Sequence, residues 1–111
     1  MAFPEVVTEM LHLRVFDDEE GRMGQSLLER NGALLIIPEI TLVASLTRGK
    51  RPSFDQASPL TMAKAQFEAL VRSCQSVYPN VSSGVFQAQM LVRLTNDGPV
   101  MFVLDRPSLT P

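Results

Sequence analysis

The sequence predicts an α/β fold, a single domain spanning residues 1–111 with a mixed β-sheet and about two helices. A chain of 111 residues is long enough to bury one modest hydrophobic core. Two stretches carry apolar residues at helical spacing, and several shorter apolar runs are bounded by turn residues, as is typical of strands. No linker or internal repeat divides the chain, and the tail at residues 105–111 is expected to be loose.

Both predicted helices follow from the spacing of their apolar residues. Residues 5–13 place Val7 and Leu11 on one side of a short helix. Residues 58–76 begin with a Ser-Pro pair, which suits a cap and the first helical position. The buried stripe of this second helix is expected to consist of Phe67, Leu70, Val71, Cys74 and Val77. Cys74 is therefore predicted to be a core thiol and not a nucleophile.

The predicted strands lie between the helices and after the second one. Residues 14–28 form a hairpin with an acidic, solvated tip. Residues 33–37 are continuously apolar, which predicts a strand buried on both faces. Residues 81–86 form or approach a strand, and residues 89–95 alternate between apolar and mixed positions. Residues 100–104 form the last strand.

Composition excludes several classes of function. The net charge of −2 argues against a general nucleic-acid binder, although a local basic patch remains compatible with it. One cysteine permits no internal disulfide, and one cysteine with one histidine cannot build a zinc site. No secretory signal or membrane-spanning run is present, so we expect a cytoplasmic protein that uses no metal and no cofactor.

The loop at residues 45–59 holds the one concentrated basic patch, which consists of Arg48, Lys50 and Arg51. Such a patch is compatible with an ordinary solvated loop. A more specific alternative is contact with phosphate groups, where positive charge supplies affinity without reading a base sequence.

A second pattern is Asn96-Asp97-Gly98-Pro99, which lies between two predicted strands. An Asp-Gly pair in that place is a common hairpin turn. A Gly-Pro step is also able to hold two backbone carbonyls in one direction, because proline fixes its own φ and glycine tolerates unusual backbone angles. Taken alone, the motif leaves both interpretations open.

Four segments together resemble the D-aminoacyl-tRNA deacylases, also called the D-tyrosyl-tRNA deacylase family. They are residues 13–23, 51–54 (Arg-Pro-Ser-Phe), 84–86 (Gly-Val-Phe) and 96–100 (Asn-Asp-Gly-Pro-Val). Their order and spacing match the family without obvious gaps from about residue 11 to residue 105. The resemblance implies a homodimeric α/β enzyme that hydrolyses the ester between a D-amino acid, or glycine, and tRNA.

The same resemblance implies how such an enzyme works. The family's Gly-Pro peptide is cis, and its two carbonyls point into the pocket of the partner subunit and exclude the side chain of an L-amino acid. Chemistry is expected to rely on backbone groups and on the terminal 2′-hydroxyl of the tRNA. Backbone amides are able to stabilise a developing oxyanion without a side-chain nucleophile.

Carried onto this chain, the family pattern predicts three sets of site residues. The residues with a catalytic role are Thr41, Gly98 and Pro99, of which the last two form the chiral gate. The substrate-binding residues are Glu39, Ile40, Asn96 and Met101, and Asn96 is also expected to hold the loop. The tRNA-binding residues are Arg48, Lys50 and Arg51.

The chain departs from the family pattern in three places. The family's Ser-Gln-Phe-Thr-Leu strand end is here Pro-Glu-Ile-Thr-Leu, which introduces Glu39, and its Asn-X-Gly-Pro-X-Thr motif ends in Met101. An N-terminal β-hairpin region of the family has no counterpart, so the fold is expected to be N-terminally shortened with one bare sheet edge. An alternative function is therefore a catalytically weakened relative that serves as a binding or assembly module.

Overall fold

The computed structural model describes residues 3–43, 60–98 and 100–105 and confirms a mixed α/β fold. The elements in chain order are α1 (Phe3–His12), β1 (Phe16–Asp17), β2 (Met23–Gln25), α2 (Leu27–Arg30), β3 (Leu34–Ile36), one turn of 3-10 helix (Ile40–Val43), α3 (Leu60–Val77) and β4 (Val81–Ser83). The chain divides into two compact units. Unit 1 comprises Met1–Leu34 with Met90–Pro111, and unit 2 comprises Leu35–Gln89.

Unit 1 is built around α1, α2 and a small hairpin. Val7 and Leu11, one helical turn apart on α1, are buried together with Leu27 of α2. The two helices contact each other, so these apolar side chains form the core of the unit. The predicted helix at residues 5–13 is thereby confirmed.

The hairpin of unit 1 pairs β1 with β2 in antiparallel register, with Phe16 opposite Gln25. Asp18 closes its tip, because its carboxylate Oδ1 accepts hydrogen bonds from the backbone N–H groups of Glu20 (2.8 Å) and Arg22 (3.0 Å). The predicted hairpin is confirmed here. Its expected extent, residues 14–28, is wrong at the end, where the chain turns into α2 instead of continuing as a strand.

Unit 2 packs α3 against β4 and the residues that follow it. Val71 and Cys74 are buried, and the rings of Phe67 and Phe86 lie 6.0 Å apart between centroids. Cys74 is fully buried, which confirms it as a core thiol and raises the pKa of that thiol. Within the described residues, no helix is both long and apolar enough to cross a bilayer.

One member of the predicted α3 stripe is misplaced. Val77 is 63% exposed, while the next residue, Tyr78, is buried. The backbone N–H of Tyr78 still donates to the Cys74 carbonyl at 2.9 Å, so Tyr78 takes the position one turn beyond Cys74. The bulky tyrosine thus fills the end of the stripe in place of the valine.

Strand β3 differs from the strand predicted for residues 33–37. Among the described residues it pairs with β4 alone, in a two-stranded sheet, and the N–H of Gly84 extends the contact by donating to the Ile36 carbonyl at 2.8 Å. Leu35, in the middle of β3, is 59% exposed. The strand is therefore not buried on both faces, because successive side chains point to opposite faces and this sheet covers only one of them.

The predicted strands at residues 89–95 and 100–104 are wrong as well. Neither segment belongs to a strand in the described residues, which contain two separate two-stranded sheets in place of one mixed sheet. Leu91 is 91% exposed and Val103 is 84% exposed. An alternating segment becomes a strand only when a neighbour supplies its hydrogen-bonding partners, and no strand in the described part of the chain does so for these two segments.

Candidate functional site

The loop at residues 96–100 is held by a contact between its two ends. The side-chain Oδ1 of Asn96 accepts a hydrogen bond from the backbone N–H of Val100 at 3.3 Å. A local bond of this kind is a common way for asparagine to stabilise a turn. The loop that carries Gly98 is thus closed by the side chain of Asn96.

Gly98 is a glycine because the chain leaves no space for a side chain. A Cβ atom at this position would collide with the backbone nitrogen of Val100 and lie 2.7 Å from its Cγ2. Gly98 is not among the described residues with positive φ, so the close approach of Val100, and not a left-handed backbone, requires glycine here.

This loop borders a pocket with a volume of about 380 Å³ within unit 1. The pocket is lined by Val15, Phe16, Asp17, Met23, Arg30, Asp97, Gly98 and Val100. Its volume lies within the range of about 300–1,000 Å³ that small-molecule sites occupy. Apolar walls, two carboxylates and one guanidinium therefore meet beside the Gly98 loop.

Helix α2 positions Arg30 at the pocket. Its N-terminus is closed by a capping box, in which Ser26 Oγ accepts from the Glu29 N–H (3.2 Å) and Glu29 Oε1 accepts from the Ser26 N–H (3.1 Å). Its C-terminus is closed by Asn31, which adopts a left-handed conformation with φ 54°. Arg30 is the last residue of this doubly capped turn.

The guanidinium of Arg30 lies over the ring of Phe16, with Cζ 5.5 Å from the ring centroid. This distance is within the range of a cation–π contact. The ring belongs to β1, so the contact joins the hairpin to α2.

The strand-end signature lies in unit 2. The hydroxyl of Thr41 donates a hydrogen bond to Oε1 of Glu39, and both side chains are exposed. Ile40 opens the 3-10 turn that follows β3, and its side chain is half-buried. The Glu39 carboxylate is therefore engaged by the neighbouring hydroxyl.

Unit 2 also contains a pocket of about 400 Å³ between α3 and the segment after β4. It is lined by Lys64, Phe67, Glu68, Val71, Arg72, Gln75, Ser83, Gly84, Val85 and Phe86. Glu68 lies one helical turn from both Lys64 and Arg72, so the carboxylate offsets part of their positive charge.

The predicted site residues are distributed between the two units. Asn96, Gly98 and Met101 belong to unit 1, where Met101 is 84% exposed, while the strand-end signature belongs to unit 2. The remaining predicted residues, which lie outside the described residues, are Pro99, Arg48, Lys50 and Arg51.

Among the residues that line the unit 1 pocket, sequence reasoning predicted only Gly98 as a site residue and missed the others, Phe16 and Arg30 included. A signal for α2 was present, because Ser26 and Glu29 have capping-box spacing and Asn31-Gly32 follows as a helix stop. No sequence pattern indicates that Arg30 stacks on a residue of the preceding hairpin.

Comparison with known proteins shows similarity over most of the chain. The family described as D-Tyr-tRNA(Tyr) deacylase matches residues 2–105. The D-aminoacyl-tRNA deacylase of Pseudomonas aeruginosa (strain LESB58) is 45% identical over 101 residues, covering 91% of this chain and 70% of that protein. That of Kosmotoga olearia is 46% identical over 100 residues, covering 90% of this chain and 67% of that protein.

A solved structure described as c-Myc DNA Unwinding Element Binding Protein is also similar. It aligns with a TM-score of 0.83 and 29% sequence identity, covering 96% of this chain and 72% of that one.

Proposed function

The chain belongs to the D-Tyr-tRNA(Tyr) deacylase family, and on this premise we propose that it hydrolyses the ester joining a D-amino acid, or glycine, to tRNA. The observation that carries this proposal is the 45% identity to the P. aeruginosa D-aminoacyl-tRNA deacylase over 91% of the chain. The reaction removes the wrong amino acid and so acts in proofreading of translation. Charged tRNA is the substrate, and the cytoplasm is the proposed location.

The makeup of the unit 1 pocket supports a mechanism that uses backbone groups. The described residues that line it include no serine, cysteine or histidine, so they offer no hydroxyl, thiol or imidazole nucleophile. Hydrolysis then depends on amides that stabilise the oxyanion, on a bound substrate held in position, and on the terminal 2′-hydroxyl of the tRNA. In this proposal, the backbone N–H of Thr41 faces the ester.

Gly98 and Pro99 are proposed to form the gate that selects the D-enantiomer. The tight packing of Gly98 against Val100, and the Asn96 hydrogen bond across the loop, support a gate of fixed shape. We propose that the gate acts in the pocket of a second copy, within a homodimer. Glu39, Ile40, Asn96 and Met101 are proposed to line the bound aminoacyl end.

The tRNA body is proposed to lie against the basic loop residues Arg48, Lys50 and Arg51. Their charge suits contact with phosphates, which supplies affinity independent of base sequence. Such binding weakens as salt concentration rises.

The proposed activity is tested by incubating the purified protein with D-tyrosyl-tRNA and, separately, with L-tyrosyl-tRNA. We expect hydrolysis of the D-ester well above the rate in buffer, with the L-ester unchanged and Pro99→Ala impaired. A D-ester that decays only at the buffer rate would refute the deacylase function. Native mass spectrometry tests the homodimer, which a monomeric mass would contradict.

A second candidate is a binding or assembly module that retains the fold with weakened catalysis. Glu39 favours it, since a carboxylate at the strand-end signature repels a developing oxyanion and nearby phosphates. The exposed Met101 side chain, which replaces a threonine of the family pattern, favours it as well. Glu39→Gln distinguishes the two candidates, because relief of this repulsion raises the deacylation rate of a weakened enzyme.

A further inference from the structure

We propose that Arg30 binds a phosphate of the RNA 3′ end as the substrate enters the pocket beside Gly98. This inference rests on the proposed function and adds a substrate-binding residue to it. It begins from the position of Arg30, which lines the same pocket as Gly98 and is the last residue of α2. Caps at both ends of α2 hold that position.

Along the wall of this pocket, Arg30 is the side chain that attracts an anion. Arg30 is the one cation among its described lining residues, and the exposed Asp17 and Asp97 supply the carboxylates. The ion pair found in the described part of the chain joins Arg22 to Glu20 at the hairpin tip and does not involve Arg30. Because the two carboxylates repel phosphate, Arg30 offers the favourable place for one along this wall.

The geometry of the guanidinium suits a phosphate. The guanidinium carbon of Arg30 lies 5.5 Å from the Phe16 ring centroid, which is within the range of a cation–π contact. The guanidinium carries five N–H donors, and this contact requires none of them to bond to the ring. Arginine binds phosphate through two such donors at once, and its preorganised planar fork loses little entropy per hydrogen bond formed.

The substrate carries an anion within reach of an ester at this site. An aminoacylated tRNA ends in an adenosine whose 5′ phosphate lies one ribose away from the ester-bearing 3′ carbon. Arg30 is exposed beside the Gly98 loop, so where this loop meets the aminoacyl group in the second copy, the phosphate one ribose away comes within reach of Arg30. Arg30 thus fixes how deeply the ester enters.

The test compares Arg30→Gln with Arg22→Gln. The second variant is the matched control, because it also removes one positive charge from unit 1, at the tip of the hairpin. D-tyrosyl-tRNA and 3′-D-tyrosyl-adenosine, which lacks every phosphate, serve as substrates. We expect Arg30→Gln to lower kcat/KM for the tRNA about tenfold relative to the adenosine ester, mainly through KM. Arg22→Gln should leave the ratio of the two substrates unchanged.

Salt dependence and a second variant separate phosphate binding from a structural role. Arg30→Gln should reduce the slope of log(kcat/KM) against log[salt] by about 0.7–0.9, the value for one lost phosphate contact. Arg30→Lys keeps the charge and should recover that slope, although not the full affinity. Equal losses on both substrates, or an unchanged salt slope, would overturn the inference and assign Arg30 a packing role.

Failure of the proposed function has a different outcome. If the wild-type protein hydrolyses no D-ester, binding of a fluorescent, uncharged RNA hairpin ending in CCA replaces the kinetic assay. Arg30→Gln should then weaken binding about tenfold at low salt, and Arg22→Gln should weaken it much less. Equal weakening by the two variants would overturn the role of Arg30 whatever the protein does.

Discussion

The side-chain Oδ1 of Asn96 accepts the backbone N–H of Val100 at 3.3 Å and closes the loop that presents Gly98. Gly98, in the middle of this loop, lies so close to Val100 that there is no room for a Cβ atom. A side chain at one end and a backbone N–H at the other therefore join the two ends of this segment.

Replacing Asn96 should open this loop. Asn96→Ala removes the acceptor and is expected to lower the free energy of unfolding by about 0.5 kcal/mol, the low end for an exposed hydrogen bond. Asn96→Asp keeps Oδ1 and should retain most of that stability. Urea denaturation measures both, with Thr95→Ala as a neighbouring exposed control. An Asn96→Ala protein as stable and as active as Thr95→Ala would show that the hydrogen bond does not hold the loop.

Adding a methyl group at Gly98 should displace the loop. The new Cβ of Gly98→Ala would meet the backbone nitrogen of Val100, which has no flexible end to move aside. A displacement of about 1 Å in a site of this kind costs about 100-fold in rate, so we expect a loss of that order in deacylation. The rate is measured with D-tyrosyl-tRNA under single-turnover conditions.

Gly21→Ala is the matched control for that variant. Gly21 lies at the hairpin tip with φ 77° and open space around its Cβ position. Alanine at this position should lower the free energy of unfolding by about 1 kcal/mol, because the backbone there is left-handed. It should have no effect on the deacylation rate. If the two variants lose activity in proportion to their stability, the contact with Val100 has no specific role.

The capping box should contribute measurably to unit 1. Ser26 is 2% exposed, and its hydroxyl accepts from the Glu29 N–H. Ser26→Ala is expected to lower the free energy of unfolding by about 1 kcal/mol. Urea denaturation compares it with Ser82→Ala, which changes an exposed serine of β4. Equal midpoints for the two variants would contradict a stabilising cap.

The buried thiol of Cys74 should make stability depend on alkaline pH. Burial raises the pKa of this thiol above its ordinary value of 9.0. The unfolded chain therefore loses the proton at a lower pH than the folded one, and the free energy of unfolding should fall as pH rises above about 9.0. Thermal unfolding between pH 7 and 10 measures this slope, which should be shallower in Cys74→Ala.

Chemical labelling checks the same burial independently. A fully buried thiol should react with a disulfide reagent only when the protein opens, so labelling should be slow in buffer and fast in urea. Rapid labelling of the folded protein would contradict the position of Cys74 in the core.

Local patterns account for the elements that were predicted correctly. The spacing of Val7 and Leu11, and of Val71 and Cys74, requires only that one helix face be apolar. The acidic hairpin tip forms through hydrogen bonds of Asp18 to its own neighbours. Interactions between residues that are close together in the chain depend on the local sequence alone, so the sequence is sufficient to predict them.

The misplaced strands show the limit of such patterns. The alternation of apolar residues at 89–95 looks the same in the sequence whether or not another strand pairs with this segment. Leu91 is exposed, as expected of a segment that pairs with no strand among the described residues. Likewise, an apolar run such as residues 33–37 does not show whether one face of the strand or both faces are buried. Pairing partners come from distant parts of the chain, and a local pattern does not identify them.

By itself, the sequence determined the family, the places of the two longer helices and the hairpin, and the motif that contains Gly98. Only the tertiary structure decided that Arg30 lies over the ring of Phe16 and that both residues line the pocket beside Gly98. The physical reason is the range of the interactions. Periodicity and caps act within one or two helical turns, whereas a pocket forms only when segments distant in the chain pack together.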